Sequence, residues 1–231
     1  MGEAIEQTPS RSVAARGLRR LRRIPRRLGY YTGPKLMSNL RKWWVLARHP
    51  HATIRFEGPV YLGPGFSLHI PDEGTFIVGS GVEFRRNFRA EVAGNGRVTI
   101  GDGSVFTYSV VIQCSTSIDI GKHCMFGQST LVVDGNHRFR DLDTAMLAQG
   151  YDFRPIRIHD NATITTKCTI IADVGERAFV GANTVVTKPV PPFTVVAGVP
   201  AKAIEYFGPP GQEPEGVPVR RAGDADEPVV G

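Results

Sequence analysis

Residues 100–132 read IGDGSVFTYSVVIQCSTSIDIGKHCMFGQSTLV, and an apolar side chain returns in this stretch at six-residue intervals. The same six-residue phase, started at Ile100, Ile120, Ile158 and Val174, selects twelve positions, and all twelve are apolar. These positions are Ile100, Phe106, Ile112, Ile120, Phe126, Val132, Ile158, Ile164, Ile170, Val174, Val180 and Val186. The residue four places after each is small or β-branched in every case except Asn136.

A period of six matches neither the 3.6-residue repeat of a helix nor the two-residue alternation of a strand. It fits a short flat strand followed by a tight corner, with three such units completing a triangular coil of about 18 residues. The recurrent apolar residue then fills the axis of a prism, and the small residue fits beside it near the corner. Glycine, which is 26 of the 231 residues, suits the corners because it adopts positive φ without strain. We therefore expect a mainly β, parallel β-helix whose coils contact only their neighbours.

One interval in the repeat is too long for a single coil. The starts at Ile120 and Ile158 are 38 residues apart, about twenty more than a coil requires. We expect residues 138–157 to leave the prism as a long loop, and long loops on rigid scaffolds commonly carry function. His137 stands at the mouth of this loop, where an imidazole is suited to abstract a proton near neutral pH.

The other histidines and the cysteines have simpler interpretations. His123 and His159 fall at corners, and the remaining histidines precede the regular coils. Cys124 and Cys168 fall at small inward positions, which predicts that they fill the core. Three scattered cysteines exclude a disulfide framework and a CxxC zinc site.

The net charge of +6 is unevenly distributed along the chain. Residues 1–50 hold 12 Lys and Arg against 2 acids, residues 51–207 hold 14 against 15, and residues 208–231 hold 2 against 5. This pattern predicts a basic arm over 1–30, a helical segment packing on the body over 31–58, a β-helix domain over 59–207, and a disordered tail over 208–231. The longest apolar run is Trp43–Ala47, too short for a signal peptide or a transmembrane helix, so we expect a cytoplasmic protein.

The basic arm allows more than one interpretation. Over residues 11–28 its leucines and arginines are spaced as in an amphipathic helix on an anionic membrane, and a solvated disordered tail is an equal alternative. Nucleic acid is not expected as a partner, because no aromatic platform accompanies the charge. A second helix is predicted to start near Pro34 and to pack on the body through Leu36, Leu40, Trp43 and Ala47.

Together with the six-residue phase, three further stretches resemble the left-handed β-helix acyltransferases, in particular the maltose, galactoside, capsule and exopolysaccharide O-acetyltransferases. They are Gly135-Asn136-His137 at the loop mouth, the run over 180–192 (VGANTVVTKPVPP), and Ala197-Gly198-Val199-Pro200-Ala201-Lys202. The resemblance covers about residues 60–205. It implies a left-handed coil, a homotrimer with an active site between adjacent prisms, and an acyl-CoA co-substrate, most simply acetyl-CoA, with no metal.

The resemblance also implies roles for individual residues. His137 stands where the family has its catalytic base. The positions that match coenzyme A contacts are Thr166, Ala182, Thr187, Lys188 and Lys202. The acceptor region departs from the galactoside enzymes, so Thr107, Ser115, Asp134 and Asp141 are the candidate contacts for a sugar or glycan hydroxyl. A backbone N–H near Thr165 is expected to hold the oxyanion of the reaction.

Two other functions remain open on the sequence alone. A γ-type carbonic anhydrase uses the same prism but needs three histidines on one zinc ion. Positions 123, 137 and 159 lack the close pair expected for that site. A non-catalytic β-helix scaffold is the other alternative, because Thr163-Ile164-Thr165 and Ala172-Asp173 depart from the family pattern near the donor site.

Overall fold

The computed structural model describes residues 35–220. The basic arm expected over 1–30 lies outside the described residues, as do residues 221–231 of the expected tail.

Three parallel sheets form the walls of a triangular prism. The first sheet has five strands: β1 (Thr53–Phe56), β4 (Thr75–Val78), β7 (Arg97–Ile100), β10 (Ser117–Ile120) and β15 (Ile156–Ile158). The second has eight strands, the last of them antiparallel: β2 (Tyr61–Leu62), β5 (Glu83–Phe84), β8 (Val105–Phe106), β11 (Met125–Phe126), β16 (Thr163–Ile164), β18 (Phe179–Val180), β20 (Thr194–Ala197) and β21 (Lys202–Tyr206). The third has six strands: β3 (Ser67–His69), β6 (Arg89–Val92), β9 (Val111–Cys114), β12 (Leu131–Val133), β17 (Thr169–Ile170) and β19 (Val185–Val186).

The axis of the prism contains the residues that the six-residue phase selects. All twelve apolar positions are buried, so the predicted core is confirmed. Phe84, Phe106 and Phe126 lie in register on successive coils, with stacked rings whose centroids are 5.0 and 4.6 Å apart. Cys124 and Cys168 are buried beside this axis, as expected for core residues. Burial of the aromatic column supplies much of the apolar driving force for stacking one coil on the next.

The corners depend on glycine less than the composition suggests. Nine described non-glycine residues adopt positive φ: Asn87, Ser109, His123, Ser129, Asn161, Lys167, Arg177, Asn183 and Phe193. Close approach of coils also selects glycine, because a Cβ at Gly127 would lie 2.4 Å from the carbonyl carbon of Thr165.

An α-helix, α1, covers residues 35–48, as predicted, but it packs on the prism through the opposite face. Leu36, Leu40 and Trp43 are exposed, whereas Ser38 and Val45 are buried. The hydroxyl of Ser38 accepts a hydrogen bond from Leu62 N at 2.8 Å, and Arg41 Nη1 donates to Leu62 O at 2.9 Å. Strand β2 is the edge of its sheet, so its free backbone groups need partners. Polar side chains meet that requirement, and leucines cannot.

The ends of the prism also differ from the expected boundaries. Strand β1 already pairs with β4, so the first coil begins at Thr53 rather than at 59. At the other end, Tyr206 N donates to Pro218 O at 2.8 Å and Tyr206 forms a bridge with Val219. Residues 208–220 are thus attached to the last strand, which differs from the disorder expected from their composition. Within residues 35–220, no helix has the length and apolar character needed to cross a bilayer.

Candidate active site

The chain leaves the prism after β12 and forms a hairpin, which we call the hairpin 135–153. Its strands are β13 (Gly135–His137) and β14 (Tyr151–Phe153), paired antiparallel, with a 3-10 helix at Met146–Ala148 between them. The prism resumes at β15, so the excursion begins slightly before the loop expected over 138–157 and ends slightly before its predicted end. Asn136, the exception in the repeat, lies in β13 and is exposed.

Polar contacts hold the hairpin together at its outer end. The amide of Gln149 donates to the backbone oxygens of Asp141 and Thr144 and accepts a hydrogen bond from Asp141 N. Arg138 and Asp152 form an exposed ion pair at 2.6 Å. The hydroxyl of Thr144 donates to the Asp141 carboxylate and lowers its pKa, with further help from the N–H of Asp143.

His137 lies at the base of the hairpin with its side chain exposed. Its ring packs against Tyr151, with centroids 4.3 Å apart, and Tyr151 in turn stacks on Phe153 at 5.5 Å. Within residues 35–220 neither ring nitrogen of His137 has a hydrogen-bond partner. The aromatic contact restricts the ring while a nitrogen stays open to a bound molecule, which is the geometry that a general base requires.

A cleft of about 480 Å³ opens beside His137. It runs along the ends of β6, β9 and β12 on three successive coils, and the hairpin forms its other wall. The residues lining it are Glu91, Ala93, Gln113, Cys114, Ser115, Val133, Asp134, Gly135, His137, Tyr151 and Phe153. A cleft of this size is sufficient for a small organic molecule.

Asp134 joins the prism to the hairpin. Its buried carboxylate accepts hydrogen bonds from Ser115 N, Thr116 N and the hydroxyl of Thr116, at 2.7 to 2.9 Å. Its backbone oxygen accepts a hydrogen bond from Arg154 N at 2.7 Å. Asp134, a candidate acceptor contact, therefore already uses its carboxylate for hydrogen bonds within the protein. Ser115, another candidate, lines the cleft beside it.

Cys114 is the only thiol among the residues lining the cleft. Burial, together with the nearby charge of Asp134, raises its pKa to about 12. The thiol donates to Arg97 O at 3.4 Å. Because the thiolate is the nucleophilic form, Cys114 is unsuited to covalent catalysis near neutral pH.

The structure does not bring Thr107 or Asp141 to this cleft. Thr107 follows β8 at a different corner, and its hydroxyl oxygen is buried without a partner among the described residues. Asp141 lies in a separate depression on the outer side of the hairpin. Across residues 35–220, no three His, Cys, Asp or Glu side chains are grouped so as to hold a metal ion.

The candidate coenzyme A residues lie on the coils that follow the hairpin in the chain. Thr166 and Ala182 precede β17 and β19, Thr187 and Lys188 follow β19, and Lys202 lies in β21. Thr166 and Ala182 occupy equivalent corners of adjacent coils, since Ile164 pairs with Val180. Thr187 and Lys188 are exposed after β19, on the prism edge from which the hairpin emerges two coils away. That offset corresponds to about 10 Å. Lys202 is exposed in β21, opposite Ala197.

The backbone N–H groups near Thr165, where an oxyanion donor is expected, differ in whether they are already bonded. Thr165 N donates to Val180 O at 3.0 Å, and its hydroxyl donates to the same oxygen at 2.7 Å. This N–H therefore belongs to the ladder between coils. The backbone N–H groups of Thr166 and Ala182, in contrast, have no partner within the described part of the chain.

The cleft residues that the sequence prediction did not include are led by four with large or polar side chains: Glu91, Gln113, Tyr151 and Phe153. The amide of Gln113 donates to Glu91 at 3.1 Å, linking two coils on the cleft floor. Tyr151 and Phe153 were detectable, because alternating aromatic residues near the end of a polar loop indicate a returning strand.

Comparisons with known proteins agree with the fold and with an acetyltransferase activity among its relatives. The chain is 27% identical over 175 residues to a probable acetyltransferase of Mycobacterium tuberculosis, covering 72% of this chain and 57% of that protein. It is 29% identical over 150 residues to galactoside O-acetyltransferase of Escherichia coli, covering 64% and 58%. The chain thus spans less than three fifths of the length of these two relatives. No family model matches it.

A solved structure gives independent support for the fold. The N-acyltransferase AntD of Bacillus cereus, in complex with a nucleotide sugar and coenzyme A, superposes with a TM-score of 0.52 at 16% identity, over 66% of this chain and 81% of that one. At that identity the likeness concerns the fold alone. The sequence relatives show that the chain is similar to acetyltransferases, and its fold is that of the left-handed β-helix acyltransferases.

Proposed function

We propose that the protein transfers an acyl group, most simply acetyl, from acyl-CoA to a hydroxyl of a sugar or glycan, with His137 as the general base. The observation that carries this proposal is the exposed imidazole of His137 at the mouth of a cleft, packed on Tyr151 and open at its nitrogens. The homologous galactoside O-acetyltransferase supports a sugar acceptor.

The proposed reaction requires two substrates, acyl-CoA and the hydroxyl acceptor, and one side chain, that of His137. A neutral nitrogen of His137 removes the proton of the acceptor hydroxyl, whose oxygen bonds to the thioester carbonyl carbon. The carbon–sulfur bond then breaks, and the imidazolium returns its proton to the coenzyme A sulfur. The free N–H groups of Thr166 and Ala182 are our candidates for the donors that bind the acyl-CoA carbonyl or its pantetheine amides.

The donor site that we propose is formed by the candidate coenzyme A residues, on the coils that follow the hairpin in the chain. Thr187, Lys188 and Lys202 are exposed, so the two ammonium groups are available to coenzyme A phosphates. Thr165 departs from the family pattern but is compatible with this site, because its hydroxyl donates a hydrogen bond to Val180 O and does not project into the space for the acyl group. This geometry favours an acyltransferase over a non-catalytic scaffold.

The acceptor site that we propose is the cleft beside His137. Ser115, Tyr151 and Phe153 offer it a hydroxyl and two aromatic surfaces, a combination suited to the polar edge and the apolar face of a sugar ring. Asp134 shapes the floor. An envelope glycan or a glycolipid precursor is our preferred acceptor. Thr107 and Asp141 lie outside the cleft and are not part of the acceptor site that we propose.

The test combines transfer and binding measurements on one variant. Release of free CoA from acetyl-CoA is measured with a panel of sugar and glycolipid acceptors, for the wild type and His137→Ala. We expect the variant to lose about 10²–10⁴-fold in rate. Acetyl-CoA should raise the melting temperature of both proteins equally, because His137 is not a proposed donor contact.

Each outcome of that test distinguishes the alternatives. Wild-type transfer by His137→Ala would exclude the imidazole as the base. A melting temperature insensitive to acetyl-CoA in both proteins would instead favour the scaffold. Lys188→Gln provides a matched comparison, since it should weaken the acetyl-CoA response and leave the imidazole intact.

We also propose a homotrimer, which the family resemblance supports. A cleft that is open along one prism edge is compatible with a site completed by a neighbouring prism. Light scattering coupled to size-exclusion chromatography measures the mass directly, and a monomeric mass under assay conditions would contradict the proposal.

For residues 11–28 we propose contact with the inner face of an anionic membrane, where the acceptor would be located. The support is the excess of positive charge in residues 1–50. Sedimentation with vesicles before and after removal of residues 1–30 tests it. Unchanged binding by the truncated protein would exclude the arm as the contact.

A further inference from the structure

Helix α1 exposes a large apolar surface that the fold does not use. Six of its large apolar side chains are exposed by 45% or more, and five of them lie on one face: Leu36, Met37, Leu40, Trp43 and Trp44, at 63, 47, 52, 68 and 56%; the sixth, Leu46, lies outside that face at 45%. With Ala47, also exposed, these five form what we call the outer face. Isolated exposed apolar residues are ordinary, but a contiguous surface with two tryptophans indicates an interaction site.

The outer face points away from the prism. At about 100° per residue, its six members fall in a sector roughly 120° wide. Ser38 and Val45, which contact the prism, fall on the opposite side of the helix, and Arg41, which donates to Leu62 O, lies between the two sides. Since the hydrogen bonds to Leu62 fix that side against β2, the apolar sector is held outward as a preformed surface.

Positive charge borders the outer face on one side. Arg41 and Arg48 lie along the border next to Met37 and Trp44, whereas Lys35 and Lys42 fall on the prism side of the helix, where they line a pocket with Pro59 and Val60. Residues 35–48 contain no Asp or Glu. The guanidinium of Arg48 lies 5.5 Å from the centre of the Trp44 ring, so cation and aromatic side chain occupy one surface.

We propose that the outer face of α1 docks on an anionic lipid bilayer, with Trp43 and Trp44 at the interface and Arg48 on the lipid headgroups. Tryptophan favours the membrane–water boundary, and an apolar sector bordered by Lys and Arg is typical of a helix lying in that plane. The proposal concerns where the protein binds and does not depend on acyl transfer.

Two parts of the protein itself could also cover the outer face, namely α1 of a second copy and residues 1–34. Charge favours anionic lipid over both. A second copy of α1 would bring the basic residues of one helix near those of the other, and residues 35–48 offer no carboxylate to pair with them. Residues 1–34 contain eight Lys and Arg and two Glu, so covering the face with them would also bring like charges together. Anionic lipid is complementary to both the apolar and the cationic parts of the surface.

The chain itself contains the probe for this proposal. Trp43 and Trp44 are its only tryptophans, so intrinsic fluorescence reports on the outer face of the full-length protein without a label. We expect phosphatidylglycerol vesicles to shift the emission to the blue and to protect it from acrylamide quenching. Phosphatidylcholine vesicles should have much less effect, and salt should weaken the response.

A variant pair separates the outer face from the basic arm. Trp43→Ala/Trp44→Ala should reduce sedimentation with phosphatidylglycerol vesicles by about tenfold or more. Tyr108→Ala is the matched control, because Tyr108 is an exposed aromatic residue on the prism and its loss should change nothing. Removal of residues 1–30 should leave the emission shift in place, although weaker.

The opposite results would overturn the proposal. Vesicle binding with unchanged emission would assign the contact to another surface, and equal binding to neutral vesicles would remove the role of charge. Emission that is already blue and shielded without vesicles would show that a second copy or residues 1–34 cover the face. A double variant that sediments like the wild type would have the same meaning. None of these results bears on His137.

Discussion

The axis of the prism and the hairpin 135–153 are stabilised by different kinds of interaction. The axis is a column of buried apolar side chains in which Phe84, Phe106 and Phe126 stack on successive coils. The hairpin buries almost nothing: it is held by backbone pairing, by Gln149 and by an exposed ion pair. Apolar burial provides the stability of this chain, whereas the hairpin provides exposed groups in a fixed arrangement. Substitutions in the two regions should therefore affect different measurements.

The largest effect that we expect is on activity alone. His137→Gln should lower the transfer rate by about 10²–10⁴-fold, because an amide is a very weak base. The melting temperature should remain within the experimental error of the wild type, since His137 is exposed and its ring nitrogens have no partners among the described residues. A large loss of stability would show that the hairpin supports the prism, contrary to this comparison.

The second prediction concerns the axis. Phe106→Ala removes the middle ring of the stack and should lower the free energy of unfolding by about 3–5 kcal/mol. Phe106→Leu retains most of the apolar contact and is the matched control, with a smaller loss expected. Urea unfolding gives both values. Activity per folded molecule should change little, because Phe106 does not line the cleft.

The third prediction concerns the junction of the two regions, where one residue should affect both measurements. Asp134→Asn replaces an oxygen that faces Ser115 N and Thr116 N with an NH₂ group, so a donor opposes a donor or a hydrogen bond is lost. We expect a loss of about 1.5–3 kcal/mol in the free energy of unfolding. Faster hydrogen exchange at the Ser115 and Thr116 amides should accompany it.

Asp141→Asn is the control for that substitution, since the Asp141 carboxylate lies outside the cleft on the exposed side of the hairpin. A change in unfolding free energy as large as that of Asp134→Asn would contradict the role assigned to the junction. Activity of Asp134→Asn should also fall, because its backbone and side chain fix the point from which His137 projects.

The parts of this structure that sequence predicts are those that sterics alone determines. Each wall of a triangular coil places an apolar residue on the axis at a fixed point, so the six-residue spacing is sufficient to locate the twelve axis positions. Asn136 breaks the pattern at the point where the chain leaves the prism. Family resemblance points to His137 and to the corners of Thr166 and Ala182, which the structure shows with free N–H groups in the described part of the chain.

The failures have a common cause, which is that periodicity does not specify partners. The spacing in α1 correctly predicts which residues share a face, but it does not say which face packs. Ser38 and Arg41 are selected by the unpaired backbone groups of β2, an edge that is visible only in three dimensions. Likewise, Asp134 and Asp141 look alike in sequence, and only the fold buries one and exposes the other.

The smallest effect that we predict is for the ion pair on the hairpin. Arg138 and Asp152 are mostly exposed, and exposed pairs of this kind contribute between zero and about 1 kcal/mol. Three backbone pairs, from Gly135 with Phe153 to His137 with Tyr151, already fix the register without it. Arg138→Ala should therefore change the melting temperature and the transfer rate only slightly, whereas Gln149→Ala, which removes three hydrogen bonds, should lower the rate more. If Arg138→Ala reduced the rate as strongly as His137→Gln, the guanidinium would belong to the chemistry of the site, and the hairpin would be more than a support for one imidazole.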